Sequence, residues 1–393
     1  MKIAVVGGGI AGLTTAVALT RAGVRCQVFE QTRHLREIGA GIQLSPNGSR
    51  PLHRLGLGPA LRDIAVRPEA ISVRRWDSGE ELARTSLGSA CEDMYGTPYY
   101  TVHRAELHQL LLEQLPRSIV HLGMRCVQAD DLGDSARLHF DDGSTADADA
   151  VIGADGIRSA VRAQLLGDQP RFSGHQVFRG VVPARHAPRL AENPRVAIWM
   201  GPGQHCVAYP ISGGRLISFA ASAPAGDWSV ESWTAEGHLT DLLDTYGGWA
   251  GELRELLSGA PTVTRWALHD RPPVDRWTTG RLALVGDAAH PMLPFGAQGA
   301  SQAIEDAMVL AACLASGNTA EVPETLKRYE SVRRPRTEQV QRFIQENERN
   351  HHVDDGQAQQ KRDIAMDGEW ALKGRQWLFG YDYDEEEELE GIR

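Results

Sequence analysis

Lys2-Ile3-Ala4-Val5-Val6-Gly7-Gly8-Gly9-Ile10-Ala11-Gly12 decides the fold. An apolar run that reads as a buried strand, Lys2–Val6, meets a helix, Ile10–Arg21, through the pattern Gly7-x-Gly9-x-x-Gly12. Each glycine answers a separate demand. Gly7 permits a tight turn, Gly9 lets a pyrophosphate approach the backbone, and Gly12 lets the helix pack closely on the strand. The N–H groups at the helix start, with the helix dipole, then hold phosphate. A second strand, Arg25–Glu30, ends in an acid 18 positions after Gly12, near the spacing of about 20 at which a carboxylate takes a ribose hydroxyl. The competing reading is a glycine-rich turn with no nucleotide.

Two further segments raise the specificity. One is Gly153-Ala154-Asp155-Gly156-Ile157-Arg158-Ser159-Ala160-Val161-Arg162. The other is Gly286-Asp287-Ala288-Ala289-His290-Pro291, after a strand-like run at 282–285. All three, in this order, point to one flavin. Asp287 can accept hydrogen bonds from ribityl hydroxyls. Gly296-Ala297-Gln298-Gly299 leads into a helix near Ala300, whose first N–H groups would favour negative charge on the pyrimidine edge of a reduced flavin. Pro294 would wall the ring. A surface loop before a helix is the bland alternative for this segment.

The rest of the chain organises around these motifs. Alternating strands and helices at the start predict a doubly wound α/β sheet. Leu107, Leu110, Leu111 and Leu115 mark an amphipathic helix at 105–115, and strands are expected at 119–122, 125–129, 136–140 and 148–153. The middle predicts an inserted antiparallel sheet, with strands at 177–183, 196–200, 205–210, 216–221 and 263–268 and helices at 232–246 and 251–257. Long helices at 300–315 and 323–347 close the first domain. The expected fold class is thus α/β: a Rossmann-type nucleotide domain (1–72, 102–175, 269–347), an inserted antiparallel-sheet substrate domain (73–101, 176–268), and a C-terminal segment (348–393). Gly56-Leu57-Gly58 and Gly201-Pro202-Gly203 are decoys, lacking the strand or helix a second nucleotide site needs.

Composition excludes several classes. The 393 residues allow about two to three domains, and no apolar run approaches the ~18 residues of a membrane span. The first strand begins at Lys2, which leaves no room for a targeting peptide and points to the cytoplasm. Five cysteines without a C-x-x-C pair suit neither a disulfide framework nor a zinc site. Asp382, Asp384, Glu385, Glu386, Glu387, Glu388 and Glu390 supply seven negatives of the net −10, leaving about −3 elsewhere. This tail reads as a solvated end. No basic stripe suggests nucleic acid, and no metal is expected. His351-His352 beside Asp354-Asp355 mimics a metal cluster, but the stretch is polar and reads as loop.

From Lys2 to about Asn347 the chain resembles the group A flavoprotein aromatic hydroxylases, of the para-hydroxybenzoate hydroxylase fold. Within them it is most similar to the salicylate, 3-hydroxybenzoate and 6-hydroxynicotinate hydroxylases. Trp377-Leu378-Phe379-Gly380-Tyr381-Asp382 is a weaker echo. The resemblance implies FAD bound through Gly7, Gly9, Ala11, Gly12, Glu30, Gln31, Gln43, Arg104, Val127, Asp155, Asp287, Pro294, Gly296, Gln298, Gly299 and Ala300. It implies that Asp155-Gly156 also serves NAD(P)H, which has no Rossmann site of its own. Gly39-Ala40-Gly41-Ile42-Gln43-Leu44-Ser45-Pro46-Asn47 would run along the flavin ring. The hydroxynicotinate enzymes are expected to carry histidine where Gln43 stands, and glutamine cannot act as a base.

His205 and Tyr209, four apart on a strand, share a face. The resemblance implies that such a His-x-x-x-Tyr pair contacts the substrate hydroxyl. An electrophilic flavin C4a-hydroperoxide attacks an electron-rich ring, and a phenolate is richer than a phenol. With phenol near pKa 10 and histidine near 6.5, deprotonation needs a direct hydrogen bond in a preorganised site. The alternative is a strand-edge histidine and a core tyrosine. Trp199, Trp233 and Trp266 read as pocket wall or core, His290 as a structural partner, and Arg179 as a carboxylate ligand or a partner of a nearby acid. The expected activity is NAD(P)H- and O2-dependent hydroxylation of a small phenolic aromatic or heteroaromatic ring. The rivals are a same-fold flavin reductase and a non-catalytic scaffold. A halogenase would carry a Trp-x-Trp-x-Ile-Pro segment, which this chain lacks.

Overall fold

The structure, a computed structural model, describes residues 1–35, 40–226, 235–369 and 371–385. Six strands form the first sheet, in the order Thr278–Thr279, Leu282–Leu284, Ala150–Gly153, Lys2–Val6, Arg25–Glu30, Val120–Leu122. Every pair except the first runs parallel. Strands covered on both faces need continuous apolar sequence, and Ile3, Val5, Val28, Ile152 and Leu284 are all buried. The first turn tolerates only glycine. Gly7 has φ +105°, and a Cβ there would lie 2.4 Å from the Ala154 carbonyl oxygen. A Cβ on Gly12 would lie 2.0 Å from the Gly7 carbonyl oxygen. Helix Ile10–Arg21 then packs on helix Gly299–Ser316.

The second sheet has eight strands, in the order Glu236–Gly237, Val263–Asp270, Arg171–Pro183, Leu216–Pro224, Gln204–Ile211, Arg195–Gly201, Ala70–Arg75, Glu81–Ser86. It is antiparallel except where Arg195–Gly201 meets Ala70–Arg75. Alternation sorts its residues between two cores. Cys206, Ala208, Phe219 and Trp199 pack under helices Leu239–Thr245 and Gly251–Ser258. Tyr209 and Ile211 face the other way, toward Phe295, Ile344 and Leu378.

Several expectations need correction. The boundary at 72/73 falls inside Ala70–Arg75 and that at 175/176 inside Arg171–Pro183, because both strands are already paired into the second sheet there. The strand Glu81–Ser86, with its alternating charges, was not anticipated. The helix expected at 232–246 begins at Leu239 among the described residues; its start, and Trp233 and Gly39, lie outside them. Gly201 and Gly203 belong to the hairpin joining Arg195–Gly201 to Gln204–Ile211. The helix expected to end at 347 runs as Val322–His351. The acidic tail is not wholly solvated: both oxygens of Asp382 accept from Arg54 at 2.6 Å, and Arg50 donates to the Tyr381 carbonyl at 2.6 Å. Residues 386–390 lie outside the described residues. All five cysteines are free and buried, and no helix among the described residues is long and apolar enough to cross a membrane.

Candidate active site

The two sheets and the segment before helix Gly299–Ser316 enclose a cavity of about 300 Å³. At one end lie Gly9, Ile10, Ala11, Ala154 and Gly156 of the nucleotide-type turns; at the other lie Arg179, His205, Val207, Tyr209 and Ser218 of the second sheet. Gln43, Arg104, Asp287, Pro294 and the run 297–300 line the stretch between them. Thus three glycine-bearing segments far apart in sequence do converge.

The lining fits an elongated polar group such as FAD. A Cβ on Gly9 would meet no protein atom within 4 Å, so that glycine opens onto the cavity. The Asp287 side chain is exposed and lines this cavity, and it makes no hydrogen bond or ion pair to protein among the described residues. Enclosure by protein pushes its pKa up, against the attraction of His290 and Arg104. Asp155 lies between the lining residues Ala154 and Gly156 but does not itself line the cavity; its Oδ2 accepts from the Ala160 N–H at 2.8 Å, while Oδ1 is buried without a partner. Burial raises this carboxyl's pKa as well. Such orphaned acceptors are what ribose or ribityl hydroxyls would satisfy. At Ala297 the backbone takes φ +51°, a left-handed conformation uncommon for alanine. That kink brings the first N–H groups of the 18-residue helix to the cavity.

Other anticipated residues serve the scaffold. Glu30 accepts from the Gly8 N–H at 2.6 Å and the Thr32 N–H at 2.8 Å, and a carboxylate retains further lone pairs for a ribose. Gln298 accepts from Asn47 at 3.0 Å and donates to Ser45 at 2.9 Å, which ties its buried side chain to the segment after strand Gly41–Leu44. Gly296 does not line the cavity: a Cβ there would lie 2.8 Å from Ile344, so the missing side chain makes room for the helix Val322–His351. Gln31 and Val127 are exposed and outside the lining. His290 bonds Asp306 at 2.6 Å, the structural partnership expected of it. Trp199 is core.

On the substrate side, strand alternation brings His205 and Tyr209 to the same cavity wall. Arg179, Ala220 and Val207 form one cross-strand row, with His205 and Tyr209 two residues to either side of Val207. Arg179 lies 4.7 Å over the Trp266 ring. Burial draws its pKa down to about 10, with Tyr209 opposing and Arg104 adding to the shift. Gln43 and Ser218 stand beside the Tyr209 hydroxyl and oppose the rise in its pKa, and Gln43 accepts from the Tyr99 hydroxyl at 2.8 Å. Burial raises the Tyr209 pKa, outweighing Arg179, so its hydroxyl stays protonated as a donor. His205 is enclosed, and burial, then His351 and His175, hold its pKa well below 6.5.

Sequence reasoning missed three of these neighbours. His352 bonds His205 Nδ1 at 2.9 Å, His351 stands 4.9 Å from the same ring, and His175 stacks on His352 at 4.5 Å. The polar-loop reading of His351-His352 is therefore corrected. A signal was present: Val340, Ile344, Asn347 and His351 form a buried stripe at helical spacing that carries the helix past 347.

A parallel nucleotide-type sheet, an eight-stranded partner and a cavity with flavin-compatible acceptors define a flavoprotein of the hydroxylase fold. Comparison with known proteins agrees. The family described as FAD binding domain matches residues 1–344. The 3-amino-4-hydroxybenzoate 2-monooxygenase PtnB3 of Streptomyces platensis is 46% identical over 381 residues, covering 97% of this chain and 96% of that one. The 3-hydroxybenzoate 6-hydroxylase of Klebsiella oxytoca is 35% identical, covering 98% of each. Klebsiella pneumoniae HpxO, solved with FAD and uric acid, superposes with a TM-score of 0.83 at 31% identity, over 93% of this chain and 92% of that one. The chain belongs to the FAD-binding-domain family. It is an FAD-dependent aromatic monooxygenase using NAD(P)H and O2, and the reductase alternative is set aside.

Proposed function

We propose that the substrate is a small phenol carrying a carboxylate, of the amino- or hydroxybenzoate kind. In this reading His205 takes the phenolic proton, Tyr209 donates to the same oxygen, and Arg179 faces the carboxylate. The observation that carries it is the row of side chains on one cavity wall. Arg179 sits two strands from His205 and Tyr209, about 10 Å between backbones at the usual strand spacing, which leaves room for one aromatic ring among the side chains. A buried guanidinium resting on Trp266 is suited to a carboxylate and poorly suited to a neutral ring. The named substrates of two relatives, 3-amino-4-hydroxybenzoate and 3-hydroxybenzoate, share that pairing of phenol and carboxylate.

FAD would be held by the Gly7–Gly12 turn at its phosphates, by Glu30 and Asp155, by Arg104 and Asp287, and by the N–H groups at 299 and 300. When bound, FAD accepts hydride from NAD(P)H and activates dioxygen. The chain's own part is to exclude water, to hold the ring, and to move one proton. Tyr209, kept neutral by burial and oriented by Gln43 and Ser218, donates to the substrate oxygen and favours its anionic form. His205 Nε2, without a hydrogen bond to protein among the described residues, is the acceptor for the proton that leaves.

A screen tests this reading. Aminohydroxybenzoates, hydroxybenzoates and the matching decarboxylated phenols should be compared for stimulated NAD(P)H oxidation, with product analysis. Carboxylated phenols should be hydroxylated, and Arg179→Met should raise their KM. Equal turnover of the decarboxylated analogues would refute the role of Arg179.

A further inference from the structure

The four histidines around the substrate end of the cavity come from three separate elements. His175 is on strand Arg171–Pro183, His205 on strand Gln204–Ile211, and His351 and His352 end and follow the helix Val322–His351. No group of three or more His, Cys, Asp or Glu side chains among the described residues has metal-holding geometry. The cluster needs another explanation. His205 lines the cavity, and its Nδ1 is 2.9 Å from His352 Nε2. The His352 ring stacks on His175 at 4.5 Å and meets Phe295 in a T-shaped contact at 5.0 Å.

We propose that His352 is the positioning residue of the active site, accepting a hydrogen bond from His205 Nδ1–H and so presenting the His205 Nε2 lone pair to the substrate hydroxyl. This rests on His205 being the base. A neutral imidazole carries one N–H, so a base at Nε2 requires the hydrogen at Nδ1, and that hydrogen requires an acceptor. His352 Nε2 is the only acceptor on it among the described residues. Two neutral rings can take these roles with the His352 hydrogen on Nδ1, an atom buried without a protein partner among the described residues. Burial, followed by the neighbouring histidines His205 and His175, holds the His352 pKa down at about 2, so Nε2 keeps a lone pair at working pH. Phenol O–H to His205 Nε2 is the proton movement, and the imidazolium that results keeps its Nδ1–H bond to His352. The acceptor lies beyond residue 344, outside the family match, so the residue that follows the long helix completes the proposed site.

His352→Phe keeps a ring against His175 and Phe295 but removes the acceptor, whereas the amide oxygen of His352→Gln supplies one. His352→Phe should keep FAD and substrate-stimulated flavin reduction while coupled hydroxylation falls about 10–100-fold, the scale for losing a group that orients an imidazole. His352→Gln should recover most of it, with KM little changed. Nitrogen-15 NMR of histidine-labelled holoenzyme, with His205 signals identified by their loss in His205→Gln, should show the hydrogen on Nδ1. A hydrogen on Nε2 would overturn the proposal, as would wild-type coupling in His352→Phe, or equal damage in the Phe and Gln variants. The NMR result stands even if His352→Phe fails to fold. If His205→Ala itself couples normally, the base reading fails. If His205→Ala uncouples and His352→Phe does not, only the role of His352 fails.

Discussion

Gly41→Ala should uncouple the enzyme without replacing any side chain that does chemistry. Gly41 opens the strand Gly41–Leu44, and its N–H donates to Ser218 Oγ at 2.9 Å. A Cβ built there would lie 2.5 Å from Tyr209 Cε2 and 2.8 Å from Ser218 Cβ. Carbon pairs settle at about 3.5–4.0 Å, so the Tyr209 ring must retreat by roughly 1 Å. Its hydroxyl then loses alignment with Gln43 and Ser218, and so with the substrate oxygen. Displacement on that scale can cost about 10²-fold in rate, and overpacking of this kind costs about 1–3 kcal/mol of stability. Thermal denaturation of the holoprotein measures the second effect. Product formed per NAD(P)H consumed measures the first, with hydrogen peroxide accounting for the difference. In a Tyr209→Ala background the closest clash is gone and only the 2.8 Å contact with Ser218 remains, so the two substitutions should be non-additive. Wild-type coupling and melting temperature in Gly41→Ala would refute the reasoning.

Three other outcomes are expected. Asp287→Ala should release most of the FAD while leaving the melting temperature of the apoprotein unchanged or higher, since the carboxylate bonds no described protein group; native FAD affinity, read by fluorescence titration, would place the cofactor elsewhere. His205→Ala should bind and reduce FAD normally, yet lose coupled hydroxylation by about 10²–10⁴-fold, as for a lost general base; raising the pH should partly restore it by ionising the phenol in solution, and a pH-independent defect would argue against a base. Arg333→Met should cost about 3–5 kcal/mol in urea denaturation, because it removes the ion-pair partner that two buried carboxylates share: Arg333 donates to Glu305 at 2.5 Å and to Asp306 at 2.8 Å. Burial works to raise the Asp306 pKa, but His290 and Arg333 outweigh it and hold the group at about 2. The stability it contributes is therefore complete above its unfolded value near 4 and is lost as the pH falls toward 2; Asp306→Asn should flatten that acid limb.

The nucleotide half of the fold was legible because its sequence signals are local. Lys2–Val6, Ile10–Arg21 and Arg25–Glu30 occur with the bounds the sequence implied, since glycine spacing and buried apolar runs leave few choices there. The second sheet was legible as strands but not as an order. Pairing Arg195–Gly201 in parallel with Ala70–Arg75 joins segments over a hundred residues apart, and periodicity says nothing about partners. Gly296 shows another limit. A glycine beside a predicted cofactor loop looked like a ligand contact, yet its missing side chain admits Ile344. Sequence reveals that a side chain is absent, not which neighbour uses the space.

The substrate end of the site was half visible, for a related reason. His205 and Tyr209 could be placed on one face from the period of a strand alone, and they share the cavity. What holds them could not be read, because each support arrives from a different element: Gln43 and Ser218 at Tyr209, His352 at His205, Trp266 under Arg179. Polar histidines after a helix look like loop when their partners are unknown. Their burial is a tertiary event, forced when Ile344 packs under Gly296 and Asn347 donates to the Phe295 carbonyl at 2.9 Å. Those contacts fasten the end of the long helix to the wall before helix Gly299–Ser316. The same wall lines the cavity through Pro294 and Phe295, so the segment that fits the flavin also brings the final helical turn to His205. In the proposed site, the wall that would seat the flavin and the residue that would orient His205 are thereby fastened together, and a substitution that loosens Gly296 or Asn347 should disturb both.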